Sequence, residues 1–305
     1  MKFFFINTIL IFFSLQIIAA SSLPSSSVIQ EITITGTITD MEGETIPGTK
    51  VVVIYTSIET FSDVNGKRNI EMSAHRGACF LAPENTYAAI RKALEYGAAW
   101  IEFDVRTSKD GVLYNFHDIT LNRTTNGTGF FHQHTSQEID RLDAGSWFSP
   151  EFADERVPRV ADLLDSLQGK ANVYFDVKDA DLKQLISLVR EKGYADKCFF
   201  WFGRLERQRE FLSLAPDLKI KVNAANIARM EEWLEECHPV KPAIVEVGIR
   251  NLTPEFRAFC HSHGIRVMVI ITGEDTSRYR DAILLEADMI NLDRPEIFQE
   301  ILRDF

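Results

Sequence analysis

His75 is followed at once by Arg76 and Gly77, and a second histidine, His117, stands next to last in the run "VLYNFHD". Cleaving a phosphodiester requires one group to take a proton from the nucleophile and another to protonate the departing alcohol. Histidine exchanges protons near neutral pH, so His75 and His117 are the candidate acid–base pair. Glu102 and Asp104 stand two residues apart in "WIEFDVRT". On a strand that spacing aims both carboxylates at one face, where they repel unless a cation offsets them. Asp176 holds the equivalent place in "VYFDVKD", with Lys178 two residues on and on the same face. Three carboxylates with open positions suit a hard divalent cation, Ca²⁺ or Mg²⁺. Arg76 offers a fork for phosphate oxygens and Lys178 a point charge. Any one of these acids taken alone reads as a surface or salt-bridged carboxylate, and either histidine alone as a hydrogen-bonded core or rim residue.

Something must bring these residues together. Short β-rich runs at 72–75, 100–105, 172–178, 198–202, 219–223, 243–247, 266–271 and 288–291 alternate with helical stretches such as "TYAAIRKALEYG" and "DLKQLISLVREKG". That alternation predicts an α/β fold, a (β/α)₈ barrel. An open doubly wound sheet is the alternative, but no glycine-rich phosphate fingerprint follows the first strand. Between "WIEFDVRT" and "VLYNFHD" only Ser108–Gly111 intervene, too little chain for a crossover helix. Asp110-Gly111 is a tight-turn signal, so an antiparallel ribbon is expected to return His117 beside Glu102, Phe103 and Asp104. Residues 106–158 then form a rim insertion after the second strand, carrying Phe130, Phe131, Trp147 and Phe148, and the barrel resumes at "RVADLLDSL".

The chain has 305 residues and a formal net charge of -11, which disfavours nucleic acid as a partner and suits cation binding or a plain solvated acidic surface. Residues 1–20 hold one lysine, an apolar run and closing small residues, the pattern of a secretory signal. A membrane-spanning helix needs about 20 apolar residues, and polar Asn7, Thr8, Ser14 and Gln16 interrupt this run. Export to the periplasm or the extracellular space is expected, with no stable membrane insertion after cleavage. Residues 21–28 read as a linker, 29–70 as a small β module and 71–305 as the catalytic barrel. The four cysteines form no CxxC pair and read as free or casually paired. His261 and His263 read as a helix C-terminus, His132 and His134 as rim residues, and Asp293-Arg294-Pro295 as a closing turn.

The blocks "AHRGACFLAPENTYAAI", "WIEFDVRTSKDGVLYNFHDITLNRTTNGTG", "VPRVADLLD", "FDVKD" and "MINLDRP" together resemble the glycerophosphodiester phosphodiesterase family, from about Ala74 to the C-terminus. The resemblance implies a TIM barrel with a rim insertion after its second strand. It implies His75 and His117 as acid and base, Glu102 and Asp104 as metal ligands, and Glu84, in the Pro-Glu-Asn-Thr block, as an orienting residue. Asp176 stands where the family usually has Glu, and Ile271 where it often has Trp. The β module resembles a carboxypeptidase-regulatory-like sandwich; a plain β-hairpin appendage is the alternative.

Three functions compete. The first is an exported hydrolase that splits glycerophosphodiesters into sn-glycerol 3-phosphate and an alcohol. The second is a lysophospholipase-D-like enzyme acting on lipid, which predicts an apolar lip around the rim. The third is a non-catalytic cell-surface binding protein, which loss of the histidines or acids would favour.

Overall fold

β-Branched and aromatic residues dominate the short runs that become strands, as their fit to a pleated, buried surface requires. In the computed structural model these are β1 (Glu71–Ala74), β2 (Trp100–Thr107), β3 (Leu113–Asn115), β4 (Asn172–Val177), β5 (Cys198–Phe202), β6 (Lys221–Asn223), β7 (Ile244–Gly248), β8 (Arg266–Ile271) and β9 (Met289–Leu292). The structure describes residues 70–305. The expected signal segment, the linker and all but the last residue of the β module lie outside the described residues.

The strands other than β3 form one sheet of parallel neighbours in the order β5-β4-β2-β1-β9-β8-β7-β6. Its two ends meet through a single parallel bridge, Phe200 to Ile220. The result is a nearly closed eight-stranded barrel, not an open doubly wound sheet. Helices lie between the strands: α1 (Tyr87–Glu95), α2 (Ser136–Ile139), α3 (Val160–Ser166), α4 (Leu182–Glu191), α5 (Leu205–Leu214), α6 (Ile227–Glu236), α7 (Pro254–Ser262), α8 (Tyr279–Leu284) and α9 (Pro295–Leu302). Among the described residues no helix is long and apolar enough to cross a membrane.

Alternation along each strand divides the apolar residues between two layers. Ile101, Phe103 and Val105 of β2 join the large cluster between sheet and helices. Their neighbours face the barrel interior, where Trp100, Tyr174, Phe199, Ile244, Met268 and Met289 pack together. Fully burying one such side chain is worth about 1.5–3 kcal/mol, so this packing fixes the inward face of each strand. Glu102 follows Trp100 on that face, and Asp176 follows Tyr174.

The ribbon forms as expected: β3 runs antiparallel to β2 with Val105 opposite Asn115 and Thr107 opposite Leu113. β2 continues to Thr107, and the rim insertion follows it. It carries a small core of its own, in which Phe116 stacks on Phe131 at 4.8 Å. Of the four rim aromatics, Phe131 is buried there, whereas Phe130 and Trp147 are exposed. The chain re-enters the barrel at α3. All four cysteines are free.

Candidate active site

The turn after β1 carries His75, and its backbone is tightly determined. Arg76 and Gly77 both take left-handed φ, 55° and 78°. A Cβ at Gly77 would lie 2.8 Å from the backbone carbon of Ala89 in α1, so only glycine allows this approach. Thr86 then caps α1 by accepting from the Ala89 N–H at 3.3 Å. His75 thereby points its ring into the strand ends. Its Nδ1 lies 2.6 Å from Asp293 Oδ1 and its Nε2 3.5 Å from Glu102 Oε2. Burial pulls the imidazole pKa down, but Glu102 and Asp293 outweigh it and push it up to about 9.

The expected carboxylates converge. Glu102, Asp104 and Asp176 are buried, and one oxygen from each lies within 4.8 Å of the others. Strand register is the cause: Asp104 of β2 sits directly opposite Asp176 of β4. Burial pushes Glu102 up to about 7, with Asp104 and Asp176 adding to the effect. Burial also raises Asp176. Asp104 stays low because Lys178, His117 and Arg76 together outweigh its burial. Lys178 Nζ donates to Asp176 Oδ2 at 2.6 Å and lies 3.0 Å from Asp104 Oδ1.

These residues fit a hard divalent cation. Asp176 Oδ1 is buried and accepts no hydrogen bond, while Asp104 Oδ1 meets only the Lys178 ammonium at 3.0 Å, and buried carboxylate oxygens require compensation. The shorter arm of Asp176 still brings its oxygens into the cluster. Lys178 sits against two of the acids.

Arg76 lies alongside. The Arg76 backbone N–H donates to Glu102 Oε2 at 3.1 Å, and its Nη1 donates to Glu84 Oε1 at 3.0 Å. Glu84 stays ionised because Arg123 and Arg76 outweigh its burial. His117 arrives on the return limb of the ribbon: the Phe116 N–H donates to Asp104 O at 2.7 Å. His117 Nδ1 lies 2.8 Å from Asp118 Oδ1.

Five residues passed over in the sequence belong to this network. Asn85 Nδ2 donates to Asp104 Oδ2 at 2.8 Å, and Asn115 Oδ1 accepts from the Asp104 N–H at 2.9 Å. Asp118 and Arg123 are paired beside His117. Asp293 lies in the turn after β9, as expected, and there also holds His75. The signals were present in "PENT", "LYNFHD" and "LDRP", but only three-dimensional contact separates these residues from ordinary turn formers.

Ile271 does not face the barrel interior. Val267, Val269 and Ile271 pack in the cluster behind the sheet, whereas Met268 faces the interior. The alternation of β8 therefore puts Ile270, not Ile271, on the inner face at the end of that strand. His263 caps α7 as expected, its Nδ1 2.9 Å from Phe259 O. Burial, reinforced by Asp293, raises the Cys79 thiol pKa, so Cys79 stays protonated rather than acting as a nucleophile.

A model of the glycerophosphoryl diester phosphodiesterase family matches residues 75–269. A glycerophosphodiester phosphodiesterase of Caldanaerobacter subterraneus is 31% identical over 243 residues, which cover 75% of this chain and 96% of that protein. A Bacillus subtilis glycerophosphodiester phosphodiesterase is 40% identical over 116 residues, covering 35% of this chain and 40% of that one. The crystal structure of the glycerophosphodiester phosphodiesterase from Agrobacterium tumefaciens superposes with a TM-score of 0.71 at 38% identity, covering 76% of this chain and 99% of that one. An Oleispira antarctica phosphodiesterase, solved in complex with the product sn-glycerol-3-phosphate, shares the fold with a TM-score of 0.68 at 24% identity, covering 77% of this chain and 97% of that one.

Proposed function

The chain belongs to the glycerophosphoryl diester phosphodiesterase family and is a phosphoric diester hydrolase; from that premise we propose that it is an exported enzyme using a divalent cation and two histidines. It takes up water and a glycerophosphodiester and releases sn-glycerol 3-phosphate and an alcohol. The observation that carries this reading is the cluster of Glu102, Asp104 and Asp176, with His75 against Glu102 and His117 returned by the ribbon beside Asp104.

In this reading the three carboxylates hold Ca²⁺ or Mg²⁺. A cation held there would supply positive charge to offset the charge that builds on the phosphate oxygens. Arg76 and Lys178 fix the remaining phosphate oxygens, and Glu84 orients Arg76. One histidine takes the proton of the attacking oxygen, and the other protonates the alcohol as its bond to phosphorus breaks. Asp293 and Asp118 hold the two rings. Residues 71–305 make up the catalytic barrel, 29–70 a spacer or docking module, and 1–20 the export signal.

A release assay tests this. The purified chain is given glycerophosphocholine, glycerophosphoglycerol and lysophosphatidylcholine with Ca²⁺, Mg²⁺ or chelator. Activity on the water-soluble diesters that chelator and His75→Ala both abolish is expected. Activity unchanged by either overturns the mechanism. Turnover of the lipid alone would favour the lysophospholipase-D-like reading, for which exposed Phe130 and Trp147 leave room.

A further inference from the structure

Arg123 lies in "LNRTTNGTG", a stretch that reads as turns. In the structure its guanidinium makes four charge-assisted bonds. Nε and Nη2 donate to the two oxygens of Asp118 at 2.7 and 2.9 Å. Nη1 and Nη2 donate to the two oxygens of Glu84 at 2.7 and 2.8 Å. Each carboxylate has a further partner in the site: Asp118 Oδ1 lies against His117 Nδ1, and Glu84 Oε1 accepts from Arg76. An unbroken chain therefore runs Arg76–Glu84–Arg123–Asp118–His117. It joins the turn after β1, which belongs to the barrel, to the rim insertion, which delivers His117 on a separate small core.

We propose that Arg123 is a positioning residue that sets the orientation and tautomer of His117 through Asp118, using Glu84 as its anchor on the barrel. Two forked pairs sharing one planar guanidinium fix both carboxylates in direction as well as distance. An ionised Asp118, held by Arg123, can only accept, so His117 Nδ1 must carry the proton it shares with Asp118. Nε2 is then the ring nitrogen free to exchange a proton with the substrate. Without the fork, Asp118 is free to rotate and the imidazole can reverse its tautomer.

Its catalytic consequence rests on the two-histidine reading, so the test has two arms. In the first, the ¹⁵N shifts of the His117 imidazole are followed in the unmutated chain and in Arg123→Lys. This needs no turnover. Protonation at Nδ1 is expected in the unmutated chain, with a mixture of tautomers in the variant. Identical shifts in both overturn the proposal. In the second arm, hydrolysis of glycerophosphocholine is measured in a double-mutant cycle of Arg123→Lys with His117→Ala. Arg123→Lys is expected to lower kcat about 10-fold with little change in KM, and to cost nothing further once His117 is gone. Losses that add in both backgrounds, or a change confined to KM, overturn it. If Arg123→Lys fails to fold, Asp118→Asn takes its place in both arms with the same expected results. Failure of the unmutated chain to turn over any diester counts against the proposed function, while the imidazole shifts still decide the positioning role.

Discussion

Asp293 Oδ1 sits 2.6 Å from His75 Nδ1, so the loop after the last strand orients the first candidate acid–base residue. Asp293 is kept below the usual carboxylate range: the hydrogen bond and charge of His75 outweigh its own burial. Its other oxygen accepts from the Gly273 N–H at 2.6 Å, beyond β8, which stops it from turning away. An ionised, immobile acceptor keeps the proton on Nδ1 and leaves Nε2 toward Glu102. Asp293→Asn keeps the shape but offers a donor where the ring needs an acceptor. The expected result is a loss in kcat of about 10²–10⁴-fold with a folded barrel, read by steady-state kinetics alongside circular dichroism.

Metal-free protein should lose stability as pH rises. Glu102 titrates at about 7 when folded against 4.5 ordinarily, and His75 at about 9 against 6.5. Both folded values are raised. The folded state therefore binds more protons than the unfolded chain across that window, and stability falls with rising pH. For Glu102 the loss runs from about pH 4.5 to 7, and for His75 from 6.5 to about 9. A divalent cation replaces the missing protons. Thermal unfolding from pH 5 to 9 is expected to show a falling midpoint in chelator and a much flatter profile with Ca²⁺. A flat profile in chelator would count against the buried acid cluster as described.

Asp176 tests whether the short arm matters. Losing an outer-shell partner typically costs about 10–100-fold in metal affinity or activity, so on the proposed ligand set Asp176→Asn should cost at least that. Asp176→Glu lengthens the arm, which must then share space with Lys178 Nζ, 2.6 Å from Asp176 Oδ2. Retained activity with a changed ratio of Ca²⁺ to Mg²⁺ activation is the expected outcome. Titrating each metal into the two variants measures it.

The barrel was legible because its signals are local. Each strand is a β-rich run, and each is buried on both faces, so the runs at 198–202 and 266–271 appear at their expected bounds. The three acids were legible because alternation along β2 and β4 forces them inward. The ribbon was legible because Ser108–Gly111 leaves no room for a crossover. Asp293 and Arg123 were not. Each acts across 218 or 39 residues of sequence, on His75 and Glu84 respectively, and no local pattern marks an acid or a cation in a turn as a partner. Ile270 was missed for a different reason: a uniformly apolar strand such as β8 gives no alternation from which to read its inner face.

Lys221 and Glu246 offer a prediction about the barrel itself. They face each other on β6 and β7 at 2.7 Å, with Lys221 2% and Glu246 8% exposed. The ammonium also lies 4.9 Å from the Tyr174 ring centre and 5.2 Å from that of Trp201. Removing one partner strands a buried charge, so Lys221→Met should cost about 3–5 kcal/mol. Replacing both, as Lys221→Met with Glu246→Leu, removes the stranded charge and should recover most of that loss. Urea unfolding of the two single variants and the double variant gives the cycle. Two single losses that simply add in the double variant would mean that the pair is not a unit.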